Sequence, residues 1–108
     1  MNRPDSTHAD RIFQALGDAT RRRLIDLLGS GPRSVSELAG PLDVTVTAVM
    51  QHLRVLEDCG LVATEKIGRV RACRLRPEGL DVLDAWIRAR RSTWEHRLAA
   101  LSDILREP

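Results

Sequence analysis

The most constraining feature of the sequence is a pair of helix start signals that follow each other closely in the middle of the chain. Ser34 is followed three residues later by Glu37, which is the pattern of a capping box, and Thr45 is a second N-cap residue. Residues 43–44 form a tight connection, and Gly60 ends the second helix. A short helix, a tight turn and a longer helix are predicted, which together make a helix-turn-helix.

A β-hairpin is predicted immediately after this helix pair. Residues 61–67 and 70–75 carry β-branched side chains in rough alternation, and a two-residue link that begins with Gly68 joins them. Apolar residues at helical spacing predict two helices before the pair, and Pro77 suits the first turn of a last helix. This order predicts a mainly α (α+β) fold of the winged helix-turn-helix type, with a two-stranded hairpin as the wing.

The length of 108 residues suits one domain over residues 1–108, with residues 1–6 as a flexible N-terminus and residues 77–105 as a dimerisation helix. The net charge of +2 excludes a histone-like excess but permits a local basic patch. No apolar run approaches the roughly 20 residues that span a bilayer, and the N-terminus lacks the apolar stretch of a secretory signal. We therefore expect a cytoplasmic protein with no membrane partner, whose cysteines stay reduced.

The second helix of the pair has two opposite faces. At about 100° per residue, four apolar side chains fall on a core side, namely Val46, Val49, Leu53 and Leu56. The opposite side carries a hydroxyl, an amide, a guanidinium and a flexible apolar group, from Thr47, Gln51, Arg54 and Met50. Such groups read base edges when a recognition helix enters the major groove. The alternative is a solvated polar face. Two further DNA contacts are predicted on this helix, at Thr45 and at His52, where a phosphate role mixes with a structural one.

The predicted hairpin is strongly basic. Only Glu65 opposes five cationic side chains around the tip, which are Lys66, Arg69, Arg71, Arg74 and Arg76. A wing of this composition contacts phosphates or places an arginine in the minor groove. We expect the DNA contacts at Lys66, Arg69 and Arg71, and the alternative is protection of an edge strand by charge. A second basic run, residues 21–23, either contacts phosphates or forms structural salt bridges.

The last helix carries a long apolar stripe. Its members are separated by alternating intervals of three and four residues, and this pattern is broken only near residues 90–91. They are Leu80, Leu83, Ile87, Trp94, Leu98, Leu101 and Leu105. So small a core cannot cover this stripe from one side, which predicts a partner chain. The predicted dimer interface consists of Ile12, Phe13, Leu83, Trp86, Ile87, Trp94, Leu98 and Leu101. A two-fold homodimer presents two recognition helices to double-stranded DNA, so its operator is palindromic.

Three segments carry a family resemblance, namely LGDATRRRLIDLL, SVSELAGPLDVTVTAVMQHLRVLEDCGLV and KIGRVRACRLRPEGL. Over about residues 9–105 the chain resembles the ArsR/SmtB family of bacterial winged-helix repressors. The resemblance implies a dimer joined through its first and last helices. It also implies repression that an inducer relieves, and the inducer stays unassigned.

The resemblance is closer to the branch of the family that binds no metal. The family's Cys-x-Cys site has no cysteine here, because residues 35–39 read VSELA. On the last helix His96 is the sole histidine, and Ala99 stands where the family's second ligand is expected. We therefore expect no metal and no cofactor. The sequence departs from the family at Met50, where serine is common, and at Asp43, where glycine is common and a different turn conformation is expected.

Other interpretations share parts of this pattern. Cys59 and Cys73 are either small core residues or a thiol switch that distorts the wing. A metal- or thiol-responsive sensor on the same fold would differ in its effector, and a protein-interaction module would not bind DNA at all. An enzyme is the weakest alternative, because the sequence has no Gly-rich phosphate loop and no nucleophile elbow. His8 and His96 are expected to be solvated.

Overall fold

The computed structural model describes residues 4–106, which form five helices and a three-stranded sheet. The elements in chain order are α1 (Pro4–Leu16), α2 (Ala19–Leu28), β1 (Arg33–Ser34), α3 (Val35–Leu42), α4 (Val46–Asp58), β2 (Val62–Ile67), β3 (Val70–Leu75) and α5 (Pro77–Arg106). The predicted winged helix-turn-helix is confirmed: α3 and α4 are the helix pair, and β2 and β3 are the wing.

The N-terminal helix is longer than the sequence pattern predicts. Residues 1–6 were expected to be flexible, but α1 begins at Pro4. A proline suits the first turn of a helix, because the amide that it lacks would have no intrahelical partner there. The helix thus includes residues 4–6 of the segment that was expected to be flexible, and residues 1–3 lie outside the described range.

Side-chain caps begin three helices at the predicted residues. The Asp18 carboxylate and the Thr45 hydroxyl each accept a hydrogen bond from an amide in the first turn, at 3.0 and 3.1 Å. Ser34 and Glu37 form a reciprocal box: the Ser34 hydroxyl accepts from the Glu37 amide at 3.1 Å, and Glu37 Oε1 accepts from the Ser34 amide at 3.2 Å. Each cap satisfies an amide that the helix leaves unpaired, which sets where the helix begins.

The turn between α3 and α4 has a left-handed residue. Asp43 has φ 53° and ψ 45°, a conformation that glycine adopts most readily and that aspartate tolerates because its side chain is short and polar. The expectation that this turn departs from a glycine-type conformation is therefore wrong. The Asp43 amide donates to the carbonyl of Gly40 at 3.0 Å, which closes the turn against the end of α3.

The sheet has the order β1-β3-β2, with β3 in the centre. The wing register runs from Val62 opposite Leu75 to the tip, where Gly68 has φ 61°. β1 was not predicted, because two residues are too few to show an alternating pattern. It places Arg33 opposite Cys73 and so attaches the segment before α3 to the base of the wing.

The core lies among α1 to α4 and the base of the wing. Its largest fully buried side chains are Ile12, Leu24, Leu38, Leu56, Leu61, Val49, Val62 and Cys73. Ile12 was expected at the dimer interface, but it is 0% exposed within the protomer and offers no surface to a second chain. Val46 was expected on the core side but is 46% exposed. It is the first residue of α4, at the end of the helix, where neighbouring elements do not cover it.

The long helix α5 starts against the end of α4 and then leaves the domain. Gly79 packs so closely that a Cβ atom there would lie 2.5 Å from the carbonyl oxygen of Gly60. Over residues 87–106 every side chain is exposed except that of Ser102, which is half-buried. The second half of α5 is therefore a projection rather than part of the protomer core.

Candidate nucleic-acid interface

The exposed face of α4 has the composition that the sequence predicts. Val49, Leu53 and Leu56 are buried in the core, whereas the opposite side exposes Thr47, Met50, Gln51 and Arg54. We call these four exposed residues the recognition arc. The arc begins in the first turn of α4, next to the exposed Thr45, whose hydroxyl already accepts the capping bond. A hydroxyl, an amide, a guanidinium and a thioether are thus presented together on the second helix of a helix-turn-helix.

His52 lies off the recognition arc and faces α2. Its Nδ1 atom is 3.4 Å from Nη1 of Arg21, and its side chain is half-buried. Arg21 is itself held by the main chain of α1, because its Nε donates to the carbonyl of Ala15 at 2.6 Å. The structure therefore places His52 in a contact between helices, which is the structural part of its predicted mixed role.

The basic run at residues 21–23 caps helix ends. Besides the Arg21 bond, Nη1 of Arg22 donates to the carbonyl of Leu16 at 2.7 Å, and Nη2 of Arg23 donates to the carbonyl of Pro41 at 2.9 Å. These carbonyls lie in the last turns of α1 and α3, where the helix leaves them unpaired and the helix dipole favours a cation. Of the two alternatives for this run, the contacts support a structural role, although the partners are carbonyls rather than carboxylates.

The strand register divides the basic side chains of the wing between two faces. Side chains alternate along a strand, so Lys66 and Arg71, which lie directly opposite each other, share the face of Thr64. This face turns toward α4, because Thr64 is hydrogen-bonded to a side chain of that helix. Arg74 lies on the other face, and Arg69 is at the tip. The three predicted wing contacts are therefore at the tip or on the α4 side.

Two hydrogen bonds in series connect α4 with the wing. The Thr64 hydroxyl lies 3.1 and 3.2 Å from the two carboxylate oxygens of Glu57, to which it donates. Nη1 of Arg71 donates to the same hydroxyl oxygen at 3.1 Å. Met50 and Arg54 of the recognition arc line the cleft that these residues border. Sequence reasoning missed Glu57 and Thr64, because neither has the positive charge or the motif spacing that would signal a nucleic-acid site.

Both cysteines are buried core residues, and burial raises the pKa of each thiol above its ordinary value. The thiolate is the reactive form of cysteine, so a raised pKa opposes the thiol-switch alternative. His8, which was expected to be solvated, is half-buried, and its Nε2 lies 2.9 Å from the carbonyl oxygen of Cys59. This contact joins α1 to the end of α4.

Among the side chains that the structure describes, residues 7–106, no three or more His, Cys, Asp or Glu are grouped so that they could hold a metal ion. In the same part of the chain, none of the helices combines the length and apolar character that crossing a membrane requires.

The projecting half of α5 displays a row of large apolar side chains. The most exposed members lie at helical spacing, and we call this row the α5 stripe, which consists of Ile87, Trp94, Leu98, Leu101, Ile104 and Leu105. Trp94 is 66% and Leu98 63% exposed, so their own protomer leaves most of the surface of these side chains in contact with solvent. Leu83 and Trp86 are half-buried against the domain, and Phe13 remains partly exposed beside them.

Comparison with known proteins agrees with this geometry. A family model described as a helix-turn-helix domain matches residues 11–65. The HTH-type transcriptional regulator Rv2034 of Mycobacterium tuberculosis is 46% identical over 74 residues, which are 68% of this chain and 69% of that protein. The structure of an ArsR-like transcriptional regulator from Rhodococcus sp. RHA1 superposes with a TM-score of 0.81 at 34% identity, covering 91% of this chain and 92% of the other. This chain belongs to the ArsR family of helix-turn-helix transcriptional regulators.

A further neighbour, described as a possible ArsR-family transcriptional regulator, bears on assembly. The winged helix-turn-helix domain of Mb0332 from Mycobacterium bovis is homodimeric in solution, and it superposes on this chain with a TM-score of 0.65 at 27% identity. The match covers 83% of this chain and 82% of that domain. The relatives described above are transcriptional regulators, so this ArsR-family member is a regulator and not an enzyme.

Proposed function

We propose that this ArsR-family regulator is a homodimeric repressor that binds a palindromic operator in double-stranded DNA. The observation that carries the proposal is the exposure of the recognition arc on α4, opposite the buried face of the same helix. Because α4 is the second helix of the pair, this arc is the surface that enters the major groove.

Together, the four members of the arc suit the edges of three different bases. The Gln51 amide matches the donor and acceptor of adenine, and the Arg54 guanidinium matches the two acceptors of guanine. The methyl groups of Thr47 and Met50 suit the methyl group of thymine. Thr45 lies at the N-terminus of α4, where the helix dipole favours a phosphate, whereas His52 contributes by its contact with α2.

The wing supplies contacts that do not depend on base sequence. Arg69 at the tip and Lys66 and Arg71 on the α4 side are exposed cations, and Arg71 lines the same cleft as Met50 and Arg54 of the arc. Cations that meet phosphates release condensed counterions, so these contacts add affinity that falls as salt rises.

The α5 stripe supports the dimer. Exposure of a row of leucine and tryptophan side chains to water is unfavourable, so a second surface is expected to cover this row on the projecting helix. A second copy of α5 is such a surface, and the homodimeric neighbour from Mycobacterium bovis uses the same fold. Two-fold symmetry then orients two recognition arcs oppositely, which requires a palindromic site. The resemblance to bacterial repressors supports repression as the consequence of operator binding.

We propose that metal binding at the family's known positions does not control this regulator. Residues 35–39 contain no cysteine, and His96 on α5 has Ala99 rather than a second ligand one turn later. The expected result is that zinc leaves operator affinity unchanged in a titration followed by fluorescence anisotropy. A zinc-dependent loss of DNA binding would identify a metal sensor instead.

Fluorescence anisotropy tests the DNA-binding surface, with labelled duplex DNA from immediately upstream of the protein's own coding sequence. We expect binding that weakens with salt, and Arg54→Ala to cost about 1–3 kcal/mol on this DNA and to relax discrimination against other sequences. Arg69→Ala should weaken binding to all sequences alike and lower the salt slope by about one unit.

The matched control is Arg88→Ala. Arg88 is an exposed arginine on α5 that pairs with Asp84 at 2.9 Å, away from the recognition arc. This variant makes the same change in net charge and should leave operator affinity unchanged. Equal effects of Arg54→Ala and Arg88→Ala would mean that the face of α4 is wrongly assigned, and salt-independent or absent binding would favour a protein-interaction module.

A further inference from the structure

We propose that Glu57 and Thr64 are positioning residues, which hold the Arg71 guanidinium on the α4 side of the wing so that it meets a DNA phosphate. The inference rests on the proposed function, because it requires the wing to approach DNA. It assigns a role to two residues that do not themselves touch the nucleic acid.

The polarity of the two hydrogen bonds is determined by the chemistry of the groups. A threonine hydroxyl has one proton, and a carboxylate is only an acceptor, so the Thr64 proton points to Glu57. The lone pairs of the Thr64 oxygen are then free to accept from Arg71, whose guanidinium is only a donor. The negative charge of Glu57 polarises the hydroxyl and strengthens the second bond. Glu57 thus acts on Arg71 through Thr64.

Arg71 needs such a restraint because of its place in the wing. It lies directly opposite Lys66, and like charges at opposite positions of a strand pair repel each other. Its side chain is long and exposed, so without a partner it would sample many rotamers. Holding the guanidinium in place before DNA arrives reduces the ordering that binding would otherwise require. The bond to Thr64 uses one of five N–H donors and leaves the others for a phosphate.

The hydroxyl also keeps the guanidinium from being neutralised. Among the described side chains of residues 7–106, the ion pairs up to 4.0 Å involve Arg76, Arg88 and Arg91, and none of them joins Glu57 to Arg71. A direct ion pair would satisfy the cation with a carboxylate and compete with DNA. Contact through Thr64 orients Arg71 and leaves its charge available, which suits a residue that must exchange water for a phosphate oxygen.

The test compares Thr64→Val and Thr64→Ser in the full-length protein, with the labelled upstream duplex as the probe. Valine keeps the β-branched shape but cannot accept from Arg71, whereas serine keeps the hydroxyl. Loss of one ordinary hydrogen bond corresponds to roughly a two- to tenfold weaker affinity, which we expect for Thr64→Val and not for Thr64→Ser. The salt slope should fall by about one unit, as for loss of one phosphate contact.

The Arg71→Ala background separates positioning from a general effect on the wing. If Thr64 acts through Arg71, Thr64→Val weakens binding in the wild-type background but not in Arg71→Ala. Equal weakening in both backgrounds, or no weakening by Thr64→Val, overturns the proposal. Glu57→Ala provides a second route if Thr64→Val does not fold. Because this change also removes an exposed negative charge that repels DNA, its effect is taken as the difference between the two backgrounds, and it should change affinity less favourably in the wild-type background than in Arg71→Ala.

The same assay separates this proposal from the proposed function. A wild-type protein that shows no salt-dependent binding overturns both. A protein whose binding is weakened by Arg54→Ala but is insensitive to Thr64→Val retains the proposed function and loses only the positioning role of Glu57 and Thr64.

Discussion

The rings of Phe13 and Trp86 meet edge to face, with centroids 5.0 Å apart and planes at 78°. Phe13 belongs to α1 and Trp86 to α5, so the contact joins the first and last helices of one protomer. The guanidinium of Arg90 lies 4.2 Å from the Trp86 ring centre, and its Nη1 donates to the Trp86 carbonyl at 3.4 Å. This arrangement sets the direction in which α5 leaves the domain and hence where the α5 stripe lies.

Replacement of either ring should destabilise the fold. Trp86 is half-buried, so we expect Trp86→Ala to lower the free energy of unfolding by about 1–3 kcal/mol, less than for a fully buried aromatic residue. A double-mutant cycle with Phe13→Ala should give a coupling energy of about 0.5–1.5 kcal/mol, as edge-to-face pairs do. Urea unfolding at one fixed protomer concentration measures both values, and strictly additive losses would contradict a direct ring contact.

Gly79→Ala should be destabilising for a steric reason. The added methyl group would lie 2.5 Å from the Gly60 carbonyl oxygen and 2.9 Å from Cδ2 of Leu61, so the start of α5 would have to move. We expect a loss of about 1–3 kcal/mol in urea unfolding, the usual effect of overpacking.

Gly40→Ala in α3 is the control for this substitution. Apart from its chain neighbours and the backbone of its own helix, a methyl group at Gly40 would meet no atom within 4 Å, so the variant lacks the steric loss expected at Gly79. The helix preference of alanine favours it by about 0.5–1 kcal/mol, but Pro41 crowds a Cβ atom on the preceding helical residue, so we expect a net change smaller than this gain. Similar changes in stability at both glycines would show that the close approach of α5 to Gly60 is wrong.

The capping box of α3 should make stability depend on pH. The backbone amide of Ser34, followed by its hydroxyl, lowers the pKa of Glu37 below the ordinary value of 4.5. Because the folded-state pKa is the lower one, this stabilisation is fully present above the ordinary pKa and is lost as the pH falls through the folded-state pKa. Glu37→Gln preserves a capping box but cannot titrate.

Urea unfolding of both proteins over an acidic pH series measures the effect. We expect the wild-type protein to lose more stability than Glu37→Gln as the pH falls below the ordinary pKa of a glutamate. Asp18 caps α2, and its pKa is also lowered, chiefly by the backbone amide of Arg21, but this group is common to both proteins and cancels in the comparison. Parallel losses in the two proteins would contradict the capping geometry.

A charge on the α5 stripe should dissociate the dimer without unfolding the protomer. Leu98 is exposed on the projecting half of α5, so Leu98→Glu removes little protomer packing but places a carboxylate in the proposed interface. We expect sedimentation equilibrium to show a shift from dimer to monomer, with helical circular dichroism retained. Ser92→Glu is the control, because Ser92 is exposed on the opposite side of the same helix. A wild-type protein that stays monomeric at high concentration would contradict the dimer.

Sequence alone determined where α2, α3, α4 and the wing begin and the order in which they follow one another, although not the start of α1 or the presence of β1. The signals involved are local, because each of them involves residues only a few positions apart. They are the caps at Asp18, Ser34 and Thr45, the link at Gly68 and the alternation in the wing. Local hydrogen bonds and turn sterics act over the same distance, so the helix-turn-helix and the hairpin were predictable. The recognition arc was predictable too, because a helix that buries Val49 and Leu53 must expose the opposite face.

Which side chains are covered and which partners they contact depends on how the helices and strands pack against one another. Ile12 joins the core while Val46 is left exposed, because burial depends on what neighbouring elements cover and not on helical period. The run at residues 21–23 binds helix-end carbonyls, and Glu57 reaches Arg71 through Thr64, because residues distant in sequence meet there. Such contacts follow from how helices and strands pack in three dimensions, which the local pattern of one sequence does not encode.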